Sequence, residues 1–411
     1  MKPTSIVIAV VTLMILCGGV QAQPDNIDSD PDNTAVDSPI VVGKSYTFRS
    51  SVFAGEMNIS ISVSLPDKYL EEEHSYPVVY VLEGDYLFDA TRSISTFMAR
   101  RSHMPSSIVV GIEAGTFEHR KNMAVRLHGG QPDKYVRFLK NELIPYIAQH
   151  YRANSHRTLV GLSPTNGVVF DAFLNEPGLF RAYIALATHF EWPPEKDTRL
   201  IDELISRIKD PGYPETVLYM GRADSDLESS QYVQRAFDDA INKLGKVSKS
   251  NVISQIDVLN NEEHYLMSLA GLRRGFRLIF PYNQIMYSPT VSTSADPAKT
   301  LKQEYQRRST VYGFDVYPAE DGYNFNDHLL GLVTIFEKAS KYAQAIDMLN
   351  LTIDYYPNSA NAHMRLAKIY HLTNDKQKAI KYAEKAIYLA KQFHPVLVEQ
   401  FNNQLSQFNR L

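Results

Sequence analysis

The sequence predicts a mostly parallel α/β sheet covered by helices, followed by a small all-α region. Short runs rich in β-branched and aromatic residues recur through residues 40–281, and the later runs alternate with helical periods. Such alternation is typical of parallel sheets, which need helices on both faces. A 34-residue spacing of apolar residues then repeats within residues 326–411, as expected of stacked helix pairs.

The first 22 residues have the order of a secretory signal peptide. Lys2 precedes an apolar run from Ile6 to Cys17, and small residues follow up to Ala22, where a signal peptidase would cut. This run is far shorter than the roughly 20 apolar residues that a membrane-spanning helix needs. We therefore predict cleavage after Ala22 and an exported chain, periplasmic or secreted, with no membrane span in its mature form.

The composition disfavours several classes of partner. The formal net charge of the 411 residues is -4, so the chain has no basic excess to neutralise nucleic-acid phosphates. The single cysteine, Cys17, lies in the predicted signal, and we find no phosphate-binding glycine loop, dinucleotide fingerprint or histidine pair at zinc spacing. We expect no cofactor and no metal. Residues 23–39 include five aspartates and predict a flexible acidic leader.

Eight runs within the predicted first domain, residues 40–281, have the alternating or continuously apolar pattern of strands. They are Ser45–Ser50, Met57–Leu65, Pro77–Leu82, Ser107–Ile112, Thr158–Val160, Ala182–Leu186, Thr216–Met220 and Val252–Val258. The first two are predicted to form a hairpin. The clearest helix is Asp133–His150, whose apolar residues fall on one face and which Pro145 is expected to kink.

The C-terminal part of the chain divides in two. Residues 282–325 lose periodicity and predict a mostly irregular connector, whereas residues 326–411 form the helical region. One set of apolar residues recurs 34 positions later in that region, which is a tetratricopeptide-like pattern. The first set is Leu332, Phe336, Ala345, Ile346 and Ile353, and the second is Leu366, Tyr370, Ala379, Ile380 and Ile387. Because two repeats are fewer than such arrays usually need, we favour a cap on the first domain over a concave surface for a protein partner.

A serine stands where a strand meets a helix. The strand Thr158–Val160 runs into Gly161-Leu162-Ser163, and the apolar residues Val168–Phe170 after this turn can form a helix. A strand, a sharp turn and a helix with serine at the apex are the context of a nucleophile elbow. The backbone two positions before the serine needs a small residue, and Gly161 supplies it. We predict Ser163 as a nucleophile.

An acid and a histidine follow in the order that this arrangement requires. Asp224 comes after the strand Thr216–Met220, and His264 comes after the strand Val252–Val258. Asp224 would hold the imidazole of His264 in the tautomer that accepts the Ser163 proton. Two other acids, Asp226 and Glu228, are alternatives in the same segment.

Several stretches resemble the esterase family of α/β-hydrolases that includes esterase D and the ferric-enterochelin esterases. They are Tyr76–Asp85 (YPVVYVLEGD), Gly129-Gly130 with Phe138–Tyr146 (FLKNELIPY), His156–Gly161 (HRTLVG) and Glu263-His264-Tyr265. Members with a repeat-like helical tail are also similar to this chain. The resemblance implies an α/β-hydrolase fold, a small-molecule ester substrate, and Ser163, Asp224 and His264 as catalytic residues.

The elbow departs from the family pattern Gly-His-Ser-x-Gly-Gly, because this chain has Gly161-Leu-Ser-Pro-Thr-Asn166. Pro164 has no N–H to offer to an oxyanion, and loss of one such donor costs on the order of 10²- to 10³-fold in rate. Candidate replacement donors are Thr165 and the loop Gly84-Asp85-Tyr86. Trp192, which follows a predicted strand, is expected either in the substrate pocket wall or in the core.

Two functions follow from these observations. The favoured one is an exported serine hydrolase that cleaves carboxylic esters through an acyl-enzyme on Ser163, slowed by the missing amide at Pro164. The alternative is a catalytically weak or inactive pseudo-hydrolase that acts as a binding or scaffold module through its pocket or its helical tail.

Overall fold

The computed structural model describes residues 41–53, 58–124, 130–190, 199–228, 230–248, 250–281, 289–322 and 328–409. The predicted signal peptide (1–22), the predicted acidic leader (23–39) and Trp192 lie outside the described residues.

The sheet contains a strand at each of the eight predicted positions, which confirms the predicted fold class. The strands are β1 (Lys44–Arg49), β2 (Asn58–Ser64), β3 (Tyr76–Leu82), β4 (Ile108–Ile112), β5 (Ala153–Leu162), β6 (Ala182–Leu186), β7 (Thr216–Ala223) and β8 (Val252–Leu259). Their order across the sheet is β1-β2-β4-β3-β5-β6-β7-β8. The hairpin β1–β2 is antiparallel, β2 pairs antiparallel with β4, and the other neighbours are parallel.

Both faces of the sheet are buried, as a parallel sheet requires. Side chains along β3 alternate between two cores: Tyr80 belongs to one hydrophobic cluster, and Val79 and Val81 belong to the other. Because the parallel strands all point the same way, the carboxyl ends of β3, β5, β6, β7 and β8 meet at one edge. The turns that leave these strands are therefore neighbours, and they carry the candidate site.

Sixteen α-helices lie within the described residues. Those of the sheet domain are α1 (Gly84–Arg100), α2 (Phe117–Asn122), α3 (Pro132–Phe138), α4 (Ile144–His150), α5 (Asn166–Asn175), α6 (Arg199–Lys209), α7 (Asp224–Glu228), α8 (Gln231–Leu244) and α9 (Met267–Ile279). Those that follow are α10 (Pro289–Thr293), α11 (Pro297–Tyr312), α12 (Leu329–Lys338), α13 (Tyr342–Tyr355), α14 (Ala360–Leu372), α15 (Lys376–Phe393) and α16 (Val398–Asn409). Within this part of the chain, no helix is both long enough and apolar enough to cross a membrane.

The predicted helix Asp133–His150 is interrupted where Pro145 approaches. A π-helical turn, Leu139–Leu143, separates α3 from α4. Pro145 has no N–H to donate to the carbonyl four residues earlier, so the α-helical ladder has to open before it. The pattern therefore predicted the helical segment and located its irregularity.

The connector predicted as mostly irregular contains a 16-residue helix, α11. The local sequence supplies its ends: the side chain of Asp296 accepts a hydrogen bond from the Lys299 N–H, Pro297 occupies the first turn, and Gly313 ends the helix at φ 74°. The prediction was wrong because it relied on apolar periodicity. This helix buries only a narrow set of side chains, Pro297, Leu301, Tyr305 and Arg308.

The C-terminal helices pack onto one face of the sheet. One continuous cluster joins strand residues such as Val81 and Ile184 to Leu332, Phe336 and Leu366 of the helical region. The two copies of the 34-residue pattern fall on the helix pairs α12–α13 and α14–α15, and the helices of each pair contact one another. This shared core favours the interpretation of the tail as a cap on the first domain. The assignment of the tail as a tetratricopeptide array remains a prediction.

Candidate active site

Ser163 lies at the apex of a turn between β5 and α5. Its backbone has φ 54°, in the left-handed region that costs a non-glycine residue free energy. Gly161 makes this turn possible, because a Cβ at that position would lie 2.6 Å from Val169 Cγ2 and 2.8 Å from Asn166 Oδ1. The turn therefore has the sharp, strained backbone of a nucleophile elbow.

Thr165 replaces the second small residue of the usual elbow by forming its own hydrogen bonds. Its hydroxyl accepts from the Leu162 N–H and donates to the Leu162 carbonyl, both at 3.0 Å, and the side chain is buried. The Thr165 hydroxyl is thus committed to the turn, so the structure does not support the hydroxyl as an oxyanion donor, whereas the Thr165 N–H stays a prediction. Pro164 lies between Ser163 and Thr165 in the 3₁₀ turn that these three residues form.

His264 reaches Ser163 from the loop between β8 and α9. Its Nε2 is 2.9 Å from Ser163 Oγ, and its Nδ1 is 2.9 Å from Asp226 Oδ1 and 3.0 Å from Oδ2. An ionised carboxylate can only accept, so Nδ1 must carry a proton. Nε2 of the neutral imidazole is then the acceptor, and Ser163 donates its hydroxyl proton to it.

The acid at the imidazole is Asp226 and not Asp224, which corrects the prediction from sequence. Both residues follow β7, but Asp224 opens α7 and Asp226 lies two residues further, where its carboxylate faces His264. A strand-end count could not separate the two, because a helical turn begins at Asp224 and rotates successive side chains by about 100°. Asp226 was named as an alternative acid.

Asp224 instead holds the loop that carries His264. Its Oδ2 accepts from the Asn261 N–H at 2.7 Å and its Oδ1 accepts from the Glu262 N–H at 3.1 Å. The bonds from Asn261 and Glu262 hold the pKa of the Asp224 carboxyl below its usual range. Asn261 has φ 58°, a turn conformation that the carboxylate stabilises.

Asp226 is kept ionised by its neighbours. Burial would raise its pKa, but the hydrogen bond from His264 and the nearby charges of His264, Arg222 and His189 hold the pKa below its usual range. Arg222 was not singled out from the sequence. Its side chain is 3% exposed, and Nε lies 3.6 Å from Asp226 Oδ2.

The predicted donors Gly84, Asp85 and Tyr86 form the first turn of α1, beside the Ser163 turn at the carboxyl edge of neighbouring strands. The Tyr86 N–H is already donated to the Glu83 carbonyl at 2.9 Å, which removes it as a free donor. The amides of Gly84 and Asp85 occupy the first two positions of the helix, where N–H groups have no partner within the helix. The Tyr86 ring instead packs against Tyr265, at 5.7 Å between centroids.

A partly buried ion pair, also missed from the sequence, supports this corner. Glu83 is 2% exposed at φ 61°, and its carboxylate accepts a hydrogen bond from Arg120 of α2. Burial raises the pKa of Glu83 to about 7, against the opposing effect of Arg120. Because α2 also contacts the Ser163–Thr165 turn, the pair links the start of α1 to the elbow.

The rim of the site presents apolar and aromatic side chains to solvent. Tyr265 is 44% exposed and lies edge-on to His264 at 4.8 Å between centroids, and Leu266 and Leu269 nearby are more than half exposed. Within the described residues, no group of three or more histidine, cysteine, aspartate and glutamate side chains is arranged to hold a metal ion.

Known proteins resemble this chain in sequence and in fold. Residues 50–236 match the family model described as "Putative esterase". Among solved structures, an IroE-like serine hydrolase from Shewanella oneidensis has a TM-score of 0.61 at 21% identity, covering 76% of this chain and 99% of its own. An uncharacterised protein from Capnocytophaga ochracea has a TM-score of 0.56 at 17% identity, covering 90% of this chain and 100% of its own. No curated protein matches the chain.

The structural likenesses establish the fold, and the family model adds the sequence pattern. The match to the Capnocytophaga protein covers so much of the chain that it includes part of the helical tail. The family match spans the β3–α1 corner, the Ser163 elbow and Asp226. The segment 50–236 of this chain therefore resembles the esterase family in sequence, and the surrounding fold is that of α/β-hydrolases.

Proposed function

We propose that this protein is an exported serine hydrolase that cleaves carboxylic esters through an acyl-enzyme on Ser163. The observation that supports this most strongly is the continuous hydrogen-bonded series from Ser163 Oγ through His264 to Asp226, at 2.9 Å for each link. The match to an esterase family model and the fold shared with a serine hydrolase add support.

The chemistry follows from this series. Ser163 Oγ attacks the ester carbonyl carbon while its proton passes to His264 Nε2, and Asp226 stabilises the imidazolium that forms. The tetrahedral intermediate then collapses: the bond to the alkoxy oxygen breaks, and His264 returns the proton to the departing alcohol. Water, deprotonated by His264, attacks the acyl carbon, and Ser163 leaves as the regenerated hydroxyl.

The oxyanion needs donors other than residue 164. We propose the amides of Gly84 and Asp85 for this role, because they belong to a helix N-terminus, whose partial positive charge favours anions. Arg120 lies close enough to the same corner to pair with Glu83, and its charge would add to the positive potential. The donor that Pro164 lacks should leave the rate about 10²- to 10³-fold lower than a complete hole would give.

Pro164 also supports a second candidate, a pseudo-hydrolase whose pocket or tail binds a partner without turnover. The two candidates make opposite predictions for short p-nitrophenyl esters. The hydrolase releases p-nitrophenolate at a rate that Ser163→Ala and His264→Ala abolish. A wild-type rate equal to that of Ser163→Ala would contradict the hydrolase and favour the binding module.

Export is tested separately. The full-length chain expressed in a bacterial host should yield a product whose N-terminal residue is Gln23 in the periplasmic or culture fraction. Full-length product confined to the cytoplasm would contradict this part of the proposal.

A further inference from the structure

Arg222 lies in an unusual position for a positive charge. It is near the end of β7 on a sheet buried on both faces, and its side chain is only 3% exposed. Its Nη1 donates a hydrogen bond to the carbonyl oxygen of Thr188, which follows β6. Burial lowers the pKa of Arg222 to about 10, although Asp226 opposes this effect. A buried charge loses its hydration, so it needs a nearby opposite charge to compensate for that loss.

That partner is Asp226. Arg222 Nε lies 3.6 Å from Oδ2 of Asp226, which is four residues further along the chain in α7. The same carboxylate accepts the hydrogen bond from His264 Nδ1. Thr188 is itself fixed, since its N–H donates to the Gly221 carbonyl at 3.0 Å and its hydroxyl donates to the Ala185 carbonyl at 2.9 Å. The guanidinium is therefore anchored through Nη1 to the turn after β6, and its Nε faces the carboxylate at a distance too long for a hydrogen bond, so the two groups interact through their charges.

We propose that Arg222 is a positioning residue that holds Asp226 ionised and oriented toward His264. The segment Arg222-Ala223-Asp224-Ser225-Asp226 then has three separate tasks: Arg222 fixes the acid, Asp224 fixes the loop of the histidine, and Asp226 fixes the imidazole. This inference rests on the proposed function, because it assigns Arg222 a role in the same reaction. Arg222 acts through Asp226 and does not touch the reacting atoms.

The charged groups around Asp226 come from three elements: Arg222 from β7, His189 after β6 and His264 after β8. Removing the Arg222 charge takes away one of the effects that hold the pKa of Asp226 low, so the Asp226 carboxylate should take up a proton at higher pH. The acid limb of the pH profile of kcat/KM should therefore move to higher pH.

The test compares Arg222→Gln with Arg222→Lys. Glutamine keeps a donor for the Thr188 carbonyl but removes the charge, so kcat on p-nitrophenyl esters should fall by about 10- to 100-fold with KM unchanged, as part of the 10²–10⁴ that a general base contributes. Lysine keeps the charge, so the acid limb of Arg222→Lys should stay at the wild-type pH. Because lysine cannot contact both the Thr188 carbonyl and Asp226, the kcat of this variant should lie between those of the wild type and Arg222→Gln.

The matched control is Arg308→Met. Arg308 is also buried, with 5% exposure, and pairs with Glu304 at 3.4 Å, but it lines a cavity beside Tyr76 at the opposite edge of the sheet. This variant should lose thermal stability and keep the wild-type kcat and pH profile. A double variant, Arg222→Gln with Asp226→Asn, should be no slower than Asp226→Asn alone, because both changes remove one function.

The outcomes separate the inference from the proposed function. Wild-type turnover with an unchanged kcat and acid limb in folded Arg222→Gln would overturn the role of Arg222 and leave the serine hydrolase intact. If Arg222→Gln does not fold, Arg222→Lys decides, and a wild-type kcat in that variant would overturn the inference. Absence of turnover in both the wild type and Arg308→Met would instead contradict the proposed function.

Discussion

Two aspartates two positions apart do different work in this protein. Asp226 contacts the imidazole of His264, whereas Asp224 accepts hydrogen bonds from backbone N–H groups of the loop that carries His264. In the proposed reaction, the first interaction sets the tautomer of His264 and stabilises the positive charge that forms on it, and the second restricts the position of the histidine. Removing the Asp226–His264 interaction should therefore lower kcat more than removing the bonds from the loop to Asp224.

We expect Asp226→Asn to lower kcat by about 10⁴-fold, because an amide can donate its N–H to Nδ1 and favour the wrong tautomer. Asp224→Asn should lower kcat by about 10-fold or less, since its amide oxygen can still accept from one of the two backbone N–H groups. Steady-state kinetics on p-nitrophenyl esters measures both. A larger loss in Asp224→Asn than in Asp226→Asn would contradict the assignment of the acid.

Replacing Pro164 should increase the rate of ester cleavage. Pro164→Ala restores an N–H beside the nucleophile while alanine still fits the 3₁₀ turn, so the rate of ester cleavage should rise, by up to about 10²- to 10³-fold. Pro395→Ala, in the tail's 3₁₀ turn Pro395–Leu397, is the control and should leave the rate unchanged. An unchanged rate in Pro164→Ala would mean that residue 164 does not face the oxyanion.

At the scale of elements, the elbow depends on the close packing of β5 against α5. Gly161→Ala would bring a Cβ within 2.6 Å of Val169 Cγ2, so we expect the free energy of unfolding to fall by about 1–3 kcal/mol. Gly245→Ala is the matched control, because its φ is -61° and the nearest atom to a new Cβ lies 3.4 Å away. Chemical denaturation of both variants should reveal a loss only in Gly161→Ala.

The sequence predicted elements best where apolar patterning decides them. Each of the eight predicted strands has a counterpart in the sheet, because the buried parallel strands are continuously apolar and β2 of the antiparallel hairpin alternates between buried and less buried residues. Helix α11 was missed because capping residues at Asp296 and Gly313 define it, and its buried stripe is narrow. Patterning also could not choose between Asp224 and Asp226, since that choice depends on where a helical turn begins.

At the scale of the whole molecule, a buried histidine should make stability depend on pH. His156 is 6% exposed and packs against Phe280 and Phe314, with ring centroids 5.4 Å and 5.0 Å away. Burial lowers its pKa to about 4. Between pH 4 and 6.5 the unfolded state therefore binds more protons at this residue than the folded state does, and stability rises with pH.

We therefore compare the wild type with His156→Phe, which keeps an aromatic ring and removes the titration. The free energy of unfolding of the wild type should fall relative to that of the variant as pH drops from 6.5 to 4, by about 2–3 kcal/mol. Equilibrium denaturation across this range measures the difference. Parallel curves for the two proteins would contradict a buried neutral His156.

The tail extends the core of the hydrolase domain, and this could be only partly foreseen. The 34-residue repeat indicated paired helices, and the small number of repeats favoured a cap. The cluster that contains Val81 of β3 also contains Leu332 and Leu366, more than 200 positions further along the chain, and no local pattern encodes such packing. The Ser163–His264 contact is of the same kind, and only the fixed order of strand ends made it predictable.

The central claim is that Ser163 is a nucleophile activated by His264. The most direct measurement is the rate at which a fluorophosphonate probe forms a covalent adduct, with the modified peptide identified by mass spectrometry. We predict one adduct, on the peptide that contains Ser163, formed much more slowly in His264→Ala and absent in Ser163→Ala. No adduct on the wild-type protein, or an adduct whose rate is the same in His264→Ala, would contradict it.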